Sequence, residues 1–338
     1  MSERKKTNLS ILELAVVPEG QTASDAFAHA LDLARHAEGW GYKRVWLAEH
    51  HNMVSVASSA TAVLIGYIAA GTSSIRVGSG GIMLPNHAPL VVAEQFGTLA
   101  SLYPGRIDLG LGRAPGTDQL TAMALRRERQ GLERDFLQLI QELTTYLSAE
   151  NNTGRVRAIP GEGLDIPLWI LGSSTESAYL AAYLGLPYAF ASHFAPAYLH
   201  EALRIYRENF RPSGHLKKPY VMACVNVVAA DTDREAQRLA TSFYQFFLGI
   251  VRNVRKPLPP PVDSMEGIWT AQEEAAAAQM LQCSFVGSVS TVADELHQFL
   301  GRTGADEIIV AAHIYEHRSR LRSYELLKTV FNSDLLNL

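Results

Sequence analysis

The chain has 338 residues, of which 47% are hydrophobic and 19% charged, enough apolar material for one large domain with a substantial core. Its 30 Lys and Arg against 34 Asp and Glu give a net charge of -4, which does not favour nucleic acid or another polyanionic partner. The two cysteines, Cys224 and Cys283, form neither a disulfide framework nor a metal-ligand spacing. This cysteine usage fits a reducing cytoplasm.

The N-terminal region has some features of a signal peptide, because basic residues 4–6 precede the apolar run Leu9–Val17. Glu13 interrupts that run, however, and its pattern fits a first strand that leads into a helix. No run approaches the ~18 apolar residues that a membrane span requires. We therefore expect a cytoplasmic protein that does not associate with a membrane.

Strand-like apolar runs alternate with helical patterns along almost the whole chain. Strands are predicted at Leu9–Val17, Arg44–Ala48, Ile75–Ser79, Ile107–Leu111, Leu168–Leu171, Tyr188–Ala191, Tyr220–Val228 and Ile308–Ala312. Helices are predicted from Ser24 and Asp231, and at about Ser59–Ala70, Pro89–Leu102, Leu120–Leu147, Ser177–Leu184, Pro196–Phe210, Thr291–Leu300 and Arg318–Phe331. Eight parallel strands close a barrel, so we predict a single (β/α)8 TIM-barrel domain over residues 1–338. A doubly wound sheet is the alternative fold, but it usually has fewer strands and one ligand-binding switch point.

One segment, at residues 249–286, interrupts the alternation. It contains three basic residues, the proline-rich stretch at 257–261, Trp269 and an alanine-rich stretch. Insertions of this length in compact domains are often lids or binding loops, so we predict a mobile lid here. The alternative is that the proline run docks a peptide-binding module in a polyproline conformation.

Polar residues and glycines follow the ends of six different predicted strands. They are Glu49-His50-His51, Gly80-Gly81, Gly112-Arg113, Gly172-Ser173-Ser174, Ser192-His193 and His313. In a barrel, the loops after the parallel strands meet at one rim, where such enzymes place their active sites. The sequence therefore predicts an enzyme.

The motif Glu49-His50-His51 is the sharpest local signal for catalysis. Side chains of adjacent residues on an extended chain point in opposite directions, so Glu49 and His51 share one side and His50 faces the other. One imidazole could therefore enter the pocket while the other packs or bonds to backbone, and we interpret the motif as a general acid or base histidine held by its neighbour. Two alternatives are a plain packing role for the histidine pair and a metal site completed by His193 and His313, although the usual His-x-His spacing is absent.

Arg113 and the serines at 173, 174 and 177 together predict a phosphate site. The glycines at 110–116 imitate a dinucleotide fingerprint, but the third comes one place late and Pro115 stiffens the turn. Arg113 is better interpreted as a side-chain phosphate clamp, the alternative being an ion pair with a carboxylate at the barrel end. Ser173, Ser174 and Ser177 begin a helix, where hydroxyl and backbone donors favour an anion. Simple N-capping is the alternative there.

Gly80 and Gly81 place bare backbone at a further strand end. Glycine suits a position where a flat ligand lies against the main chain, although a bulge or a tight barrel corner would need it as well. A planar ring with a single phosphate tail matches the shape of flavin mononucleotide (FMN).

These motifs resemble the bacterial luciferase-like family of flavin-dependent monooxygenases, over essentially the whole chain. The similarity is closest to its single-chain, non-luminous members. It is carried by WLAEHHN at 46–52, RVGSGGIMLPNHAPLVVAEQFGTL at 76–99, LYPGRIDLGLGRAPGTD at 102–118 and LGSSTESAYLAAYLGLPYAFASHF at 171–194.

The resemblance implies a barrel that binds reduced FMN, reacts with dioxygen and oxygenates an organic substrate. It implies that His50 is a catalytic imidazole beside the flavin, and we expect Glu49 and His51 to orient that ring. It also implies that Arg113 holds the phosphate and that the loop with Ser173, Ser174 and Ser177 surrounds it. Members of this family often have a non-proline cis peptide at the positions of Gly80 and Gly81, so the resemblance implies one here. The resemblance also implies a homodimer, and the lack of a sound nicotinamide fingerprint implies a separate NAD(P)H-dependent reductase.

The sequence departs from luminous luciferases at two positions, since Gly112 stands where they have a reactive cysteine and Ser173 near where they have a glutamate. Light emission is therefore not expected. Two other functions stay open at this point. One is hydride transfer with a deazaflavin cofactor, and the other is non-catalytic flavin binding.

Overall fold

The sheet contains nine parallel strands in the part of the chain that the computed structural model describes, which is residues 7–114, 117–125 and 135–332. The strands are β1 (Asn8–Glu13), β2 (Arg44–Leu47), β3 (Arg76–Met83), β4 (Ile107–Gly112), β5 (Leu168–Gly172), β6 (Tyr188–Phe190), β7 (Val221–Ala229), β8 (Ser284–Gly287) and β9 (Glu307–Ala311). Eight of them close a barrel in the order β1 to β7 and then β9, which pairs with β1. The predicted fold class is confirmed.

Helices follow the strands and surround the barrel. They are α1 (Ala23–Trp40), α2 (Thr61–Ala70), α3 (Pro89–Leu102), α4 (Gln119–Leu125), α5 (Phe136–Leu147), α6 (Thr175–Leu184), α7 (Leu199–Asn209), α8 (Asp233–Val251), α9 (Ala271–Met280), α10 (Val289–Thr303) and α11 (His317–Asn332). Two short 3-10 helices lie at Leu84–Asn86 and Ala149–Thr153. Local sequence explains several boundaries. Thr22 and Asp25 form a capping box at the start of α1, and Gly41 ends that helix with a φ of 78°.

Strand β7 has two neighbours on one side. Its first half pairs with β9 through Met222–Asn226, and its second half pairs with β8 through Asn226–Ala229. Strand β8 was not predicted. Together with α9 it lies in or next to the 249–286 segment, so the second half of that segment is regular secondary structure. The part without a helix or strand is residues 252–270.

The core has two layers, one between the strands and helices and one inside the barrel. The inner layer includes Leu12, Trp46, Trp169, Met222 and Ile309. Trp46 and Trp169 pack edge to face with ring centroids 5.0 Å apart. Close strand contact needs glycine at some positions: a Cβ on Gly110 would lie 2.2 Å from the Ser79 carbonyl oxygen. This packing fills the barrel, so ligands bind at its rim.

Buried charges close the end of the barrel opposite the rim. Arg44 donates to Glu307 at 2.9 Å and to Asp108 at 2.6 Å, and all three side chains are buried. Arg76 donates to the other oxygen of Asp108, and the Tyr220 hydroxyl donates to Glu307. The negative charges at this end are therefore paired and serve the structure.

The predicted helix Leu120–Leu147 appears as α4 and α5, and the residues between them, 126–134, lie outside the described part. No helix among the described residues is long and apolar enough to cross a membrane.

Candidate active site

The carboxyl ends of the barrel strands bring the predicted residues to one rim. Glu49 and His50 follow β2, Gly80 and Gly81 lie within β3, and Arg113 follows β4. Ser173 and Ser174 separate β5 from α6, while His193 follows β6 and His313 follows β9. The proposed phosphate residues thus follow neighbouring strands.

Glu49 is the centre of a hydrogen-bond cluster between the loops after β2 and β3. Its fully buried carboxylate accepts from Nε2 of His51 at 2.9 Å and from Nε2 of His87 at 2.9 and 3.0 Å. The Met83 backbone N–H donates to it at 3.0 Å, and the Asn86 amide donates at 3.4 Å. Burial opposes ionisation of this carboxyl, but the bonds from His87, His51 and Met83 outweigh it and lower the pKa of Glu49. Glu49 and His51 share one side of the chain, as the alternation predicts.

His50 is part-buried and its backbone N–H donates to the Ser58 carbonyl at 3.2 Å. It is close enough to His193 and His313 to affect their ionisation. The hydrogen bonds of Glu49 go to His51 and His87. Glu49 therefore fixes the loop that carries His50, and its predicted direct orientation of the His50 ring stays a prediction.

The Gly80–Gly81 peptide bond is cis, as the resemblance implies. The register of β3 against β4 shifts between Ser79 and Ile82, so the two glycines lie in a bulge. A Cβ on Gly80 would lie 2.8 Å from Leu12 Cδ1, and one on Gly81 would lie 2.8 Å from the Gly110 carbonyl oxygen. The close backbone of Gly110 thus requires glycine at position 81, whereas a side chain at position 80 would displace Leu12 and Trp46 side-chain atoms.

Arg113 is exposed and lies within electrostatic reach of Glu176 in the first turn of α6. The Glu176 carboxylate accepts from its own backbone N–H and from the Ser174 hydroxyl, and these bonds, with a contribution from Arg113, lower its pKa. The arginine, the helix N-terminus and Ser174 therefore form a region that favours an anion.

Ser177 uses its hydroxyl for hydrogen bonds within the protein. Its hydroxyl donates to the Ser174 carbonyl at 2.7 Å and lies 2.9 Å from the Tyr188 hydroxyl. A hydroxyl has one proton, so Ser177 would need to rotate before it could donate to a phosphate. Its phosphate role stays a prediction.

His193 and His313 are two imidazoles with unusual surroundings. Both ring nitrogens of His313 are buried, and so is Nδ1 of His193. None of these three atoms has a hydrogen-bond partner among the described residues. Burial, with neighbouring His313 and His50, lowers the pKa of His193 to about 3. Burial, with Arg320 and His50, lowers the pKa of His313 to about 3. No group of three or more His, Cys, Asp or Glu side chains within the described ranges could hold a metal ion.

Asp118 joins three segments beside the rim. Its Oδ2 atom accepts from Asn52 at 3.2 Å, from Thr121 at 2.9 Å and from Arg255 at 3.1 Å. Arg255 also donates to the Asn52 carbonyl at 2.6 Å. The segment 252–270 is therefore tied to the loop after His51 and to the start of α4.

Sequence reasoning did not include His87, Asp118 or Arg255 in the site. His87 lies four residues after the end of β3, and no spacing pattern predicts that it turns back to Glu49. The proline run at 257–261 indicates an unusual segment, but no pattern in it predicts a contact of Arg255.

The family model for luciferase-like monooxygenases matches residues 7–307. This chain belongs to that family. A luciferase-like monooxygenase of Escherichia coli K12 is 53% identical to it over 96% of this chain and 97% of the relative. The N-acetyl-S-alkylcysteine monooxygenase of Bacillus subtilis strain 168 is 35% identical over 94% of this chain and 96% of the relative. The protein is thus an oxidoreductase.

Solved structures share the fold of this luciferase-like protein. Apo-MsnO8 aligns with a TM-score of 0.89 and 38% identity, covering 96% of this chain and 98% of that one. The oxygenating constituent of 3,6-diketocamphane monooxygenase from Pseudomonas putida, solved with FMN, aligns with a TM-score of 0.72 at 19% identity, covering 96% and 97%. An F420-dependent secondary alcohol dehydrogenase aligns with a TM-score of 0.66 at 14% identity, covering 98% and 99%. The last two show the fold alone.

Proposed function

We propose that this enzyme is an FMN-dependent monooxygenase that uses reduced FMN and dioxygen to oxygenate a small organic substrate. The observation that carries the proposal is the position of Arg113. It follows β4, and its charge acts on the first turn of α6, which follows the neighbouring strand β5. A guanidinium and a helix N-terminus side by side suit a phosphate monoester.

The residues present fit FMN at both of its ends. Arg113, the backbone N–H groups at the start of α6 and the hydroxyls of Ser173 and Ser174 would hold the phosphate. The backbone at Gly80 and Gly81 carries no side chain that would keep a flat ring away from the rim. When bound, reduced FMN supplies the two electrons with which dioxygen gives one oxygen atom to the substrate and one to water.

The chain's own residues prepare the rim for this reaction. His50 would donate or accept a proton at its imidazole, since an imidazole titrates in the physiological range. Glu49 holds the loops after β2 and β3 together through His51, His87 and the Met83 N–H. Residues 252–270 would act as a lid that excludes water. In support, Leu258 is buried and pairs with residues 17–19 after β1.

The names of two relatives agree with oxygenation. The N-acetyl-S-alkylcysteine monooxygenase covers almost the whole chain, and the 3,6-diketocamphane enzyme was solved with FMN. A hydride-transfer reaction with a deazaflavin is the second candidate, because F420-dependent enzymes share the fold. The longer tail of that cofactor would need further basic residues, and among the described residues the charged side chain that acts with Arg113 at α6 is the acidic Glu176.

We further propose that the enzyme works in the cytoplasm with a separate NAD(P)H-dependent flavin reductase, and that it is a homodimer. Exposed apolar side chains on neighbouring helices support the dimer, namely Val63 and Tyr67 on α2 and Val91 and Leu102 on α3. Light scattering after gel filtration measures the mass in solution, and a mass of one chain would contradict the dimer.

The first test is titration of oxidised and reduced FMN into the wild type, Arg113→Ala and the control Arg204→Ala, which removes an exposed arginine on α7. Loss of the bidentate clamp should weaken FMN binding about tenfold or more. Equal FMN affinities of the wild type and Arg113→Ala would show that Arg113 does not bind the FMN phosphate.

The second test follows flavin absorbance after oxygen is added to an anaerobic mixture of the protein and reduced FMN. A monooxygenase should change the rate of reoxidation relative to free reduced FMN. Reoxidation at the free rate despite proven binding would favour the deazaflavin enzyme or a flavin carrier. Mass spectrometry of the cofactor extracted from purified protein separates those two.

A further inference from the structure

The imidazoles of His193 and His313 at the rim are not explained by FMN binding. His313 is 3% exposed, and neither of its ring nitrogens has a partner among the described residues. Nδ1 of His193 is buried and unpartnered too. A buried polar group without a hydrogen bond costs free energy, so such groups usually have a function or a missing partner.

Both imidazoles are held in place by their surroundings. Asn226, on β7 between the strands that carry the two histidines, donates from Nδ2 to the His193 carbonyl at 2.6 Å. His313 packs against Phe243, Phe246 and Phe247 of α8, with ring centroids 5.8, 4.8 and 6.3 Å away. The His313 ring is therefore fixed in an apolar recess, and neither of its nitrogens has a partner among the described residues. The His193 backbone is fixed by Asn226, which places its unpartnered Nδ1 beside the neighbouring strand.

A cavity lies close to His313, although neither His193 nor His313 lines it. Phe246, which packs against His313, also lines a cavity of about 420 Å³ between α8 and the 252–270 segment. Leu248 and Ile268 line it as well, together with charged side chains. This volume is within the range of small-molecule sites.

The charges around the recess are balanced. Arg320 helps to lower the pKa of His313, and this arginine is buried and paired with Glu13 at 2.5 Å. The other titratable group that acts on both imidazoles is His50. The lowered pKa values keep both imidazoles neutral at physiological pH. A neutral imidazole offers one donor and one acceptor, and the apolar surroundings disfavour an ion.

We propose that His193 and His313 bind the organic substrate, and that this substrate is an uncharged molecule with an apolar body and a hydrogen-bonding group such as a carbonyl. The inference rests on the proposed function, because it assigns the second ligand of the same rim. The histidines follow β6 and β9, whereas the proposed phosphate residues follow β4 and β5. FMN and the organic substrate would therefore bind at different parts of the rim. His50 acts electrostatically on both histidines.

The test uses three probes of equal chain length and different charge: heptan-2-one, heptanoate and heptylammonium. Binding to the protein with and without FMN is measured by calorimetry, and histidine nitrogens are followed by NMR of protein labelled with 15N-histidine. The ketone should bind at least tenfold more tightly than either ion and shift the ring signals of His193 and His313.

Substitutions identify the groups that bind the probe. His313→Phe and His193→Phe keep an aromatic ring but remove the hydrogen bonds, and each should weaken ketone binding about tenfold. His313→Gln keeps a donor and an acceptor and should recover part of the affinity. His215→Phe, which changes an exposed histidine after α7, is the matched control and should bind the ketone like the wild type.

The outcomes separate this inference from the proposed function. Unchanged FMN affinity in the phenylalanine variants shows that they fold. The inference is overturned if those variants bind the ketone normally, if the charged probes bind equally well or if no probe binds. If the ketone behaves as expected but reduced FMN does not bind at the Arg113 site, the substrate site stands and the FMN assignment fails.

Discussion

Nε2 of His87 lies 2.9 Å from Oε1 and 3.0 Å from Oε2 of Glu49, so one imidazole N–H is shared by both oxygens of a buried carboxylate. A carboxylate only accepts hydrogen bonds, and this arrangement therefore places the proton of His87 on Nε2. The same argument applies to His51. The carboxylate thus sets the tautomers of two rings and joins the loops after β2 and β3.

Replacement of Glu49 by Gln should destabilise the protein by about 1–3 kcal/mol, because the amide cannot accept from His51, His87 and the Met83 N–H together. Urea unfolding monitored by circular dichroism measures the change. Glu208→Gln is the control, since Glu208 forms an exposed pair with Arg204 and its loss should cost less than about 1 kcal/mol. Equal effects of the two substitutions would show that the Glu49 cluster contributes no more than a surface ion pair.

Glu38 gives a prediction for the pH dependence of stability. Partial burial opposes its ionisation, but the backbone N–H groups of Ser73, Ser74 and Ile75 and the Ser74 hydroxyl outweigh burial and lower its pKa to about 2. The folded state thus favours the charged form relative to the ordinary value of 4.5. Its stabilisation is fully present above pH 4.5 and is lost as the pH falls toward 2.

Wild type should therefore exceed Glu38→Gln by about 2 kcal/mol in unfolding free energy at pH 7. The difference should shrink steadily between pH 4.5 and pH 2. Urea titrations at several pH values test this, and a difference that does not change with pH would contradict the assigned cause.

Substitution of His50 by Ala should lower turnover of reduced FMN with substrate by about 10²–10⁴-fold, the usual range for a general acid or base. FMN affinity should stay within about twofold of wild type, since the phosphate residues follow other strands. His36→Ala, which removes a half-exposed histidine on α1, is the matched control. A large loss of FMN affinity with normal turnover at saturation would assign His50 to binding instead.

Glu176 should compete with the FMN phosphate for the Ser174 hydroxyl and for Arg113. Glu176→Gln removes this negative charge and should strengthen FMN binding about two- to fivefold at low salt. The gain should decline at 1 M salt, where charges on exposed groups are screened within about 3 Å. Weaker FMN binding in Glu176→Gln would mean that the carboxylate supports the phosphate loop.

The contacts of Arg255 should limit opening of the 252–270 segment. Arg255→Ala loses the bonds to Asp118 and to the Asn52 carbonyl, so thermolysin should cleave this segment several times faster. Lys256→Ala removes the neighbouring exposed charge and serves as the control. Cleavage at the same rate in both variants would show that the segment is held by other contacts, such as the pairing of Leu258 with residues 17–19.

The barrel strands could be predicted from the sequence because each one is a short apolar run, and six of the eight are followed by polar residues or glycines. All eight predicted strands overlap observed ones, from β1 to β7 and β9. Strand β8 was missed because it follows an alanine-rich helix and begins within the segment predicted to be a lid. Its Phe285 is buried by pairing with β7, which is a contact that local sequence does not encode.

The site was predictable where neighbouring residues act together and less so where they meet only in space. Glu49, His50 and His51 form one motif, and alternation along an extended chain correctly places Glu49 with His51. His87 and Arg255 reach the site from other loops, so no spacing indicates them. His193 and His313 lie at predicted strand ends, but the isolation of His313 from hydrogen-bond partners depends on the packing of α8 against its ring.

Strand β7 pairs with β9 through its first half and with β8 through its second half, so the closure of the barrel does not depend on the segment that precedes β8. The chain leaves β7 through α8 and returns to it as β8, while β9 closes the barrel on the other half of the same strand. Residues 252–270 can therefore change in length or composition without altering closure. A change of sequence in this segment can thus alter what covers the rim while the strand pairs that close the barrel stay in place.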